Sequence, residues 1–441
     1  MPPETRVLVL LFCFIASGQV FAADAEETFA NAEKYTVRID STISRPFIED
    51  SQGAFIGAGF MVDSKRRWVM TNAHVVGYSP ASIEVITKSG SRVAAEKVYV
   101  DPYVDVAIIE LHENNFPIRE AKLGCDQRPG TGHPVGAYGH PWGLNFTGTQ
   151  GVISGSSDIF GAALLQTDTP INGGNSGGPL ISMKTSQVVG INTSSFSEDG
   201  DQNTNFAVPI SQACQILQLL QEGRDPSPPQ LSVTFFDTIS DNDPLVVARS
   251  FLGKDLLSLN PGDEIVSANE TEVTSESELV ESLRGRLEDV RLVVRRGDQV
   301  VKVRGKLEPR TNITSRRGLY FAGLLFGDAG FRDGAMLGLG HDVMVQSVES
   351  GSQANSSQLI GYDYIASVND IPIRDLDHLS EVLGNTASSD LDEVTIDFVR
   401  FVEDGDTGQL FHSLRRKFRW SEPEYVGAWD QKVIGRLQAK E

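Results

Sequence analysis

Residues Ile171-Asn172-Gly173-Gly174-Asn175-Ser176-Gly177-Gly178-Pro179-Leu180 set one serine among four glycines. Glycine lets a backbone take strained turns and lets a ligand approach the main chain closely. A nucleophilic serine needs both: an exposed Oγ on a tight bend, and backbone N–H groups aimed where an oxyanion forms. In that arrangement Ser176 and Gly174 supply the N–H groups. The same pattern fits a turn with an incidental serine, or the nucleophile elbow of an α/β-hydrolase, so its partners decide.

Upstream, the apolar run Trp68-Val69-Met70 leads into Thr71-Asn72-Ala73-His74-Val75-Val76, and Asp105 opens a second apolar run, Val106-Ala107-Ile108-Ile109-Glu110-Leu111. Singly, His74 reads as a hydrogen-bonded core histidine and Asp105 as an acid capping a turn. Together, at strand ends, they read as base and acid for Ser176. The order His, Asp, Ser is the chymotrypsin order, whereas an α/β-hydrolase runs Ser, acid, His. Pro179 and the β-rich Gln187-Val188-Val189-Gly190-Ile191-Asn192 follow Ser176, leaving no helix to make an elbow. From Tyr35 to about Val208 short β runs alternate with turn signals, among them Phe55 to Val62, Ile83 to Ile86, and Val135 to Tyr138. That spacing reads as barrels or sandwiches. The expected fold is an all-β double barrel of chymotrypsin type. His74 and Asp105 lie on the first barrel, Ser176 on the second, the boundary falls near Pro117 to Gly130, and the site is the cleft between. Pro209 to Leu220 reads as a closing helix stopped before Gly223.

Beyond the proline-rich linker at 224–230 the chain repeats itself at an offset of 100 residues. Asp263, Ile265, Ser267, Asn269, Val273, Leu279 and Leu283 recur as Asp363, Ile365, Ser367, Asn369, Ile373, Leu379 and Leu383. Each copy reads as strand, turn, strand, helix, strand. The copies cover 231–308 and 318–420, with a linker at 309–317 and an unassigned tail at 421–441. They are similar to PDZ domains, α+β modules that bind extended peptides by adding a strand to a sheet edge; the alternative is a duplicated module that binds nothing. In the second copy Phe321-Ala322-Gly323-Leu324 resembles the loop that holds a peptide's C-terminal carboxylate. The matching stretch of the first, Leu231 to Phe236, has no glycine.

The stretches Thr71 to Val76, Asp105-Val106-Ala107, Gly174 to Leu180 and Gly190-Ile191-Asn192-Thr193 resemble the HtrA (Deg-type) serine proteases from about Tyr35 onward, with the protease at 30–223. The resemblance implies ATP-independent endopeptidases of the cell envelope, acting on unfolded or misfolded exported proteins and switched by C-terminal peptides. It also implies trimers or larger cages, and the short segment from Ser44 to Gly53 favours a homotrimer. Gly173 departs from the family's usual Pro or Arg and loosens the loop before Ser176. Trypsin-like enzymes carry Asp six residues before the nucleophile. Here that position is Pro170, so cleavage after Lys or Arg is disfavoured, and Ile171 and Ile191 are expected to line a small apolar pocket. The competing reading is a non-proteolytic peptide-binding chaperone or scaffold with a latent triad.

The N-terminus has the layout of a secretory signal peptide: Arg6, an apolar run from Val7 to Ala16, and a small-residue cut site after Ala22. The run is shorter than the roughly 20 residues of a spanning helix, so the expected product, 23 onward, is exported, periplasmic or secreted, rather than anchored. The chain has 441 residues, 40% hydrophobic and 22% charged, with a net charge of −21. Such an acidic surface repels phosphate backbones, so nucleic acid is not an expected partner. The histidines lack ligand spacing, and the glycine pairs at Gly57-Ala58-Gly59 and Gly338-Leu339-Gly340 lack the rest of a dinucleotide fingerprint, so neither metal nor cofactor is expected. A bridge between Cys125 and Cys214 is open in an oxidising compartment, but two free thiols are the expectation, because a core of this size needs no staple.

Overall fold

The computed structural model describes residues 25–113, 117–140, 146–157, 163–193, 204–231, 233–236, 243–250, 257–310, 313–328, 343–386, 392–404 and 408–427. The expected signal peptide and Gly338 to Gly340 lie outside them. Among the described residues no helix is long and apolar enough to cross a membrane.

The first half is the expected double barrel. After a short helix α1 (Ala25–Ala32), barrel one closes through β1 (Thr36–Ile43), β2 (Gly53–Asp63), β3 (Trp68–Thr71), β4 (Ser82–Ile86), β5 (Arg92–Asp101) and β6 (Val106–Leu111), in the order β1-β2-β3-β6-β5-β4. Helix α2 (Ala73–Val76) follows β3. Barrel two comprises β7 (Pro134–Gly139), β8 (Thr147–Ser157), β9 (Leu164–Thr167), β10 (Pro179–Ser182), β11 (Val188–Thr193) and β12 (Asn205–Pro209), ordered β10-β11-β12-β9-β8-β7. Closure removes the edge strands that would otherwise seek partners. One apolar cluster seals the barrels together, with Phe60, Trp68 and Ile108 from the first, Ile181 and Phe206 from the second, and Ile216 from helix α3 (Ile210–Gln221). Pro209 is the N-cap of α3. Helix α1 lies before the expected start at residue 30, and its Phe29 stacks on Tyr138 of barrel two at 5.8 Å.

Cys125 and Cys214 are joined in a disulfide, with Cα atoms 5.9 Å apart. This overturns the expectation of free thiols. Core size argues only that a staple is unnecessary, whereas the packing of α3 across the connection between the barrels brings the two residues together.

The second half holds two β-rich sheets, consistent with PDZ-like units. The first contains β13 (Val233–Phe235), β14 (Leu245–Ser250), β15 (Glu264–Ala268), β16 (Thr271–Glu272), β17 (Val290–Arg296) and β18 (Gln299–Gly305), with helix α4 (Glu276–Leu283) between β16 and β17. The second runs β25-β24-β22-β21-β20-β19-β26, with β23 paired to β22. Its strands are β19 (Arg317–Phe321), β20 (Leu324–Asp328), β21 (Val343–Val348), β22 (Tyr364–Val368), β23 (Ile371–Pro372), β24 (Glu393–Asp404), β25 (Gly408–Arg419) and β26 (Glu424–Gly427), with helix α5 (Leu376–Thr386).

The repeat extends to individual hydrogen bonds. Asp263 accepts from Arg296 and from the Asn260 amide, and Asp363 accepts from Arg400 and the Ile360 amide. Asn269 and Asn369 both adopt positive φ, 46° and 48°, and their side-chain oxygens accept from the amides of Arg291 and Thr395. Asparagine tolerates the left-handed region better than most residues, which explains its recurrence at that turn.

The expected linkers are not free spacers. Pro226, Ser227, Pro228 and Pro229 are buried, and Pro229 forms a bridge to Pro309. Proline content signals extended backbone, and here extended backbone from both segments pairs and packs. The tail beyond residue 420, unassigned from sequence, supplies β26.

Candidate active site

His74 sits on α2, whose last turn is closed by Gly77 at φ 72°, its amide donating to Ala73 O. Asp105 lies between β5 and β6 at φ 56°. Its carboxylate accepts from His74 Nδ1 (2.8 Å to Oδ2) and from the His74 amide (3.0 Å to Oδ1). That geometry fixes the tautomer with the proton on Nδ1 and leaves Nε2 basic. Burial favours the neutral imidazole, but the charge and hydrogen bond of Asp105 outweigh it and raise the His74 pKa above its ordinary value.

Two residues with no assigned role from sequence orient the acid. Thr193 Oγ1 donates to Asp105 Oδ2 at 3.1 Å, and Asn72 Nδ2 donates to the Asp105 carbonyl at 2.8 Å. Both lie within the quoted motifs, which was the available signal. A third support lies deeper. Asp101, fully buried, accepts from the amides of Tyr103 and Val104 and from Tyr99 Oη. It also pairs with Arg284, just past α4 of the first C-terminal unit, at 2.6 Å, with Arg284 3% exposed. The turn that delivers Asp105 is thus pinned from outside the barrels.

Ser176 is 5% exposed and is gripped by the first barrel, its carbonyl accepting from the Ala58 amide at 2.8 Å. Around it the amides of Asn175, Gly177 and Gly178 donate to Asn172 O, Asn192 O and Asn175 O. Those of Gly174 and Ser176 have no such backbone acceptor among the described residues. Gly174 has φ 102° and Gly177 φ 83°, conformations that glycine takes at little cost. A Cβ on Gly177 would overlap Thr71 Oγ1 and the Ala58 carbonyl, and one on Gly57 would strike Val75. Gly57 therefore lets β2 pass close under Val75 of α2 and the Ser176 carbonyl, whereas Gly59 makes room for Ile39 and Val69 inside barrel one. No hydrogen bond joins Ser176 Oγ to His74 Nε2 among the described residues.

Ile171 and Ile191 do not come together. Ile171 is buried inside barrel two with Leu180 and Val189, whereas Ile191 belongs to the cluster between the barrels. Both are core residues, so a shared apolar lining is not what they form. Phe321 and Leu324 face each other across a two-residue hairpin turn at Ala322 and Gly323, with φ 51° and 90°. That turn joins β19 to β20 along their full length, and β21 holds the other side of β20, so these four residues form a closed hairpin with no free β20 edge beside it. This removes the basis for expecting carboxylate capture by these four residues.

Residues 57–191 match the trypsin-like peptidase domain family. The chain is 37% identical over 176 residues to a probable periplasmic serine endoprotease, DegP-like, of Pseudomonas putida, covering 38% of this chain and 36% of that protein. It is 32% identical over 264 residues to one of Hahella chejuensis, covering 55% of each. The chain thus spans between about a third and about half of these relatives' length. Among solved structures it is similar to the HtrA-type protease AlgW with a tripeptide, at TM-score 0.55 and 25% identity over 65% of this chain and 97% of that one. The same protease with a decapeptide gives a TM-score of 0.51 over 64% of this chain. With residues 57–191 matching the trypsin-like peptidase family and HtrA-type proteases among relatives and structural neighbours, the two-barrel half of the chain is similar to the serine protease domains of the HtrA type.

Proposed function

We propose that the chain is a serine endopeptidase that cleaves unfolded or misfolded proteins outside the cytoplasm without ATP. The observation that carries this reading is an Asp105-oriented His74 on one barrel and, on the facing barrel, Ser176 held by its carbonyl to the Ala58 amide of the first, beside two uncommitted amides. In the proposed reaction Ser176 Oγ attacks the peptide carbonyl while His74 Nε2 takes its proton. Nε2 then returns that proton to the leaving amine, and water repeats the sequence on the acyl-enzyme. Asp105 stabilises the imidazolium, and the Gly174 and Ser176 amides hold the tetrahedral oxyanion. Hydrolysis of casein by the purified chain, lost on Ser176→Ala, tests the assignment; equal rates for both would refute it.

With Pro170 six residues before Ser176, no carboxylate stands there for a basic side chain. Cleavage after small apolar residues is the expected specificity, and a peptide-library profile led by Arg or Lys would contradict it. A periplasmic or secreted location accords with the N-terminal pattern of sequence and with the names of the relatives. A homotrimer is the proposed assembly, and light scattering giving any other mass would reject it. Strand addition of extended peptides to the C-terminal units is the proposed mode of regulation. The second reading, a latent binding protein, is favoured by one feature, the missing Ser176–His74 hydrogen bond. Apo sites often tighten only with substrate, so peptide-dependent activity separates the two.

A further inference from the structure

Strand β26 has no counterpart among the described strands of the first unit. It lies antiparallel on the outer edge of β19, from Arg317 opposite Gly427 to Tyr320 opposite Glu424. Its alternating side chains reach two different bodies. Tyr425 points to the start of α5, where its hydroxyl donates to Asp377 Oδ1 at 2.8 Å. The Arg317 guanidinium lies 5.6 Å from the Tyr425 ring and pairs with the same Asp377 at 2.9 Å. Glu424 faces the other way and accepts from Arg45 of the first barrel at 2.8 Å. A Cβ on Gly427 would lie 3.0 Å from Pro80 Cγ, also of that barrel. A strand paired with a sheet edge beside a helix has the geometry of an added peptide: the main chain supplies affinity and alternate side chains supply selectivity.

We propose that β26 is an internal ligand, and that the β19 edge binds extended peptides from other chains when they displace it. This rests on the reading of the second unit as a strand-adding module. The matching peptide carries an acidic, then an aromatic hydroxyl, then an aliphatic residue, as in Glu424-Tyr425-Val426. The contacts of β26 suit a displaceable occupant. It is four residues long, Glu424 and Asp377 have side chains 62% and 64% exposed, and Tyr425 is 45% exposed. Exposed ion pairs contribute little. The neighbouring anchor is separate: Trp420 donates from Nε1 to Leu383 O at 3.1 Å and from its amide to Asp392 O at 2.9 Å. Release therefore stops at Trp420 and leaves the sheet intact. Residues 421–423 form a short tether, so the internal strand acts at an effective concentration on the order of mM. Displacement also breaks the Arg45–Glu424 contact, which tells the first barrel whether the edge is occupied by its own strand.

The test is fluorescence polarisation of a labelled peptide with the sequence of residues 422–427. It is titrated against the full chain carrying Ser176→Ala and against the same chain ended after Ser421. A second full-length variant, Tyr425→Pro, removes a strand N–H without shortening the chain. Saturable binding to the shortened chain and to Tyr425→Pro, each at least ten-fold tighter than to the intact chain, is the expected result. Equal binding to all three, or no binding to both variants, overturns the proposal. Because Ser176 is replaced throughout, the outcome does not depend on whether it is the nucleophile.

Discussion

At His74 the two opposing effects fix a pH dependence. A general base works in its neutral form, and the Asp105 interaction raises the His74 pKa above 6.5. Activity is therefore expected to rise with pH through a midpoint above that value. Asp105→Asn should lower the midpoint and cut kcat by about 10⁴-fold, read from kcat/KM profiles. The sign for stability is opposite: a raised folded pKa stabilises below the unfolded value, and that contribution fades as pH climbs through the folded one. Gly177→Ala is the sharpest test of the glycine reading. Its added methyl meets Thr71 Oγ1 and Ala58 O at φ 83°, and a loss of about 2–3 kcal/mol in urea unfolding is expected. The contact between His74 and Asp105 was legible, and Ser176 was readable as the candidate nucleophile, because the proposed chemistry demands those types in that order. Thr193 and Asn72 were visible only as motif members, since contacts closed over 88 and 33 residues define their roles. Ile171 and Ile191 show the converse: apolar residues near a nucleophile read as pocket, yet burial makes them core.

Among the elements, the turn carrying Asp105 depends on a residue nearly two hundred positions away. Arg284→Met leaves Asp101 buried without its cation, and a cost of about 3–5 kcal/mol is expected. Adding Asp101→Asn should recover part of that loss, and denaturant unfolding of both variants measures it. If Arg284→Met is neutral, the ion pair does not hold the turn. No pattern in the sequence announces this pair, because an arginine past a helix end reads as a solvated charge. The β19–β20 hairpin was missed for a related reason. Hairpin turns are signalled most strongly by Asn-Gly or Asp-Gly, and Ala322-Gly323 reads as loop until the register is seen. Helix α3 was legible from the proline before it and the glycine after it.

Over the whole molecule, the double barrel was legible from short β runs and the His, Asp, Ser order, and the two C-terminal units from their 100-residue offset. Their docking was not. Arg316 pairs with Glu49 at 2.9 Å and the Ile48 amide donates to Gln346 Oε1 at 3.3 Å, linking the second unit to the segment after β1, but such contacts leave no periodic trace. The same holds for the Cys125–Cys214 bridge, which closes 89 residues. By the chain-entropy argument its removal in Cys125→Ser/Cys214→Ser is expected to cost about 4–5 kcal/mol; unchanged thermal unfolding would show the bridge to be energetically idle. All of this surrounds one claim, that Ser176 is an activated nucleophile. The most direct measurement is covalent labelling of the purified chain by a fluorophosphonate probe, with and without unfolded casein, alongside Ser176→Ala. Labelling of the native chain, increased by casein and lost in the variant, is the expected result; no labelling under any condition, or labelling that survives Ser176→Ala, would contradict it.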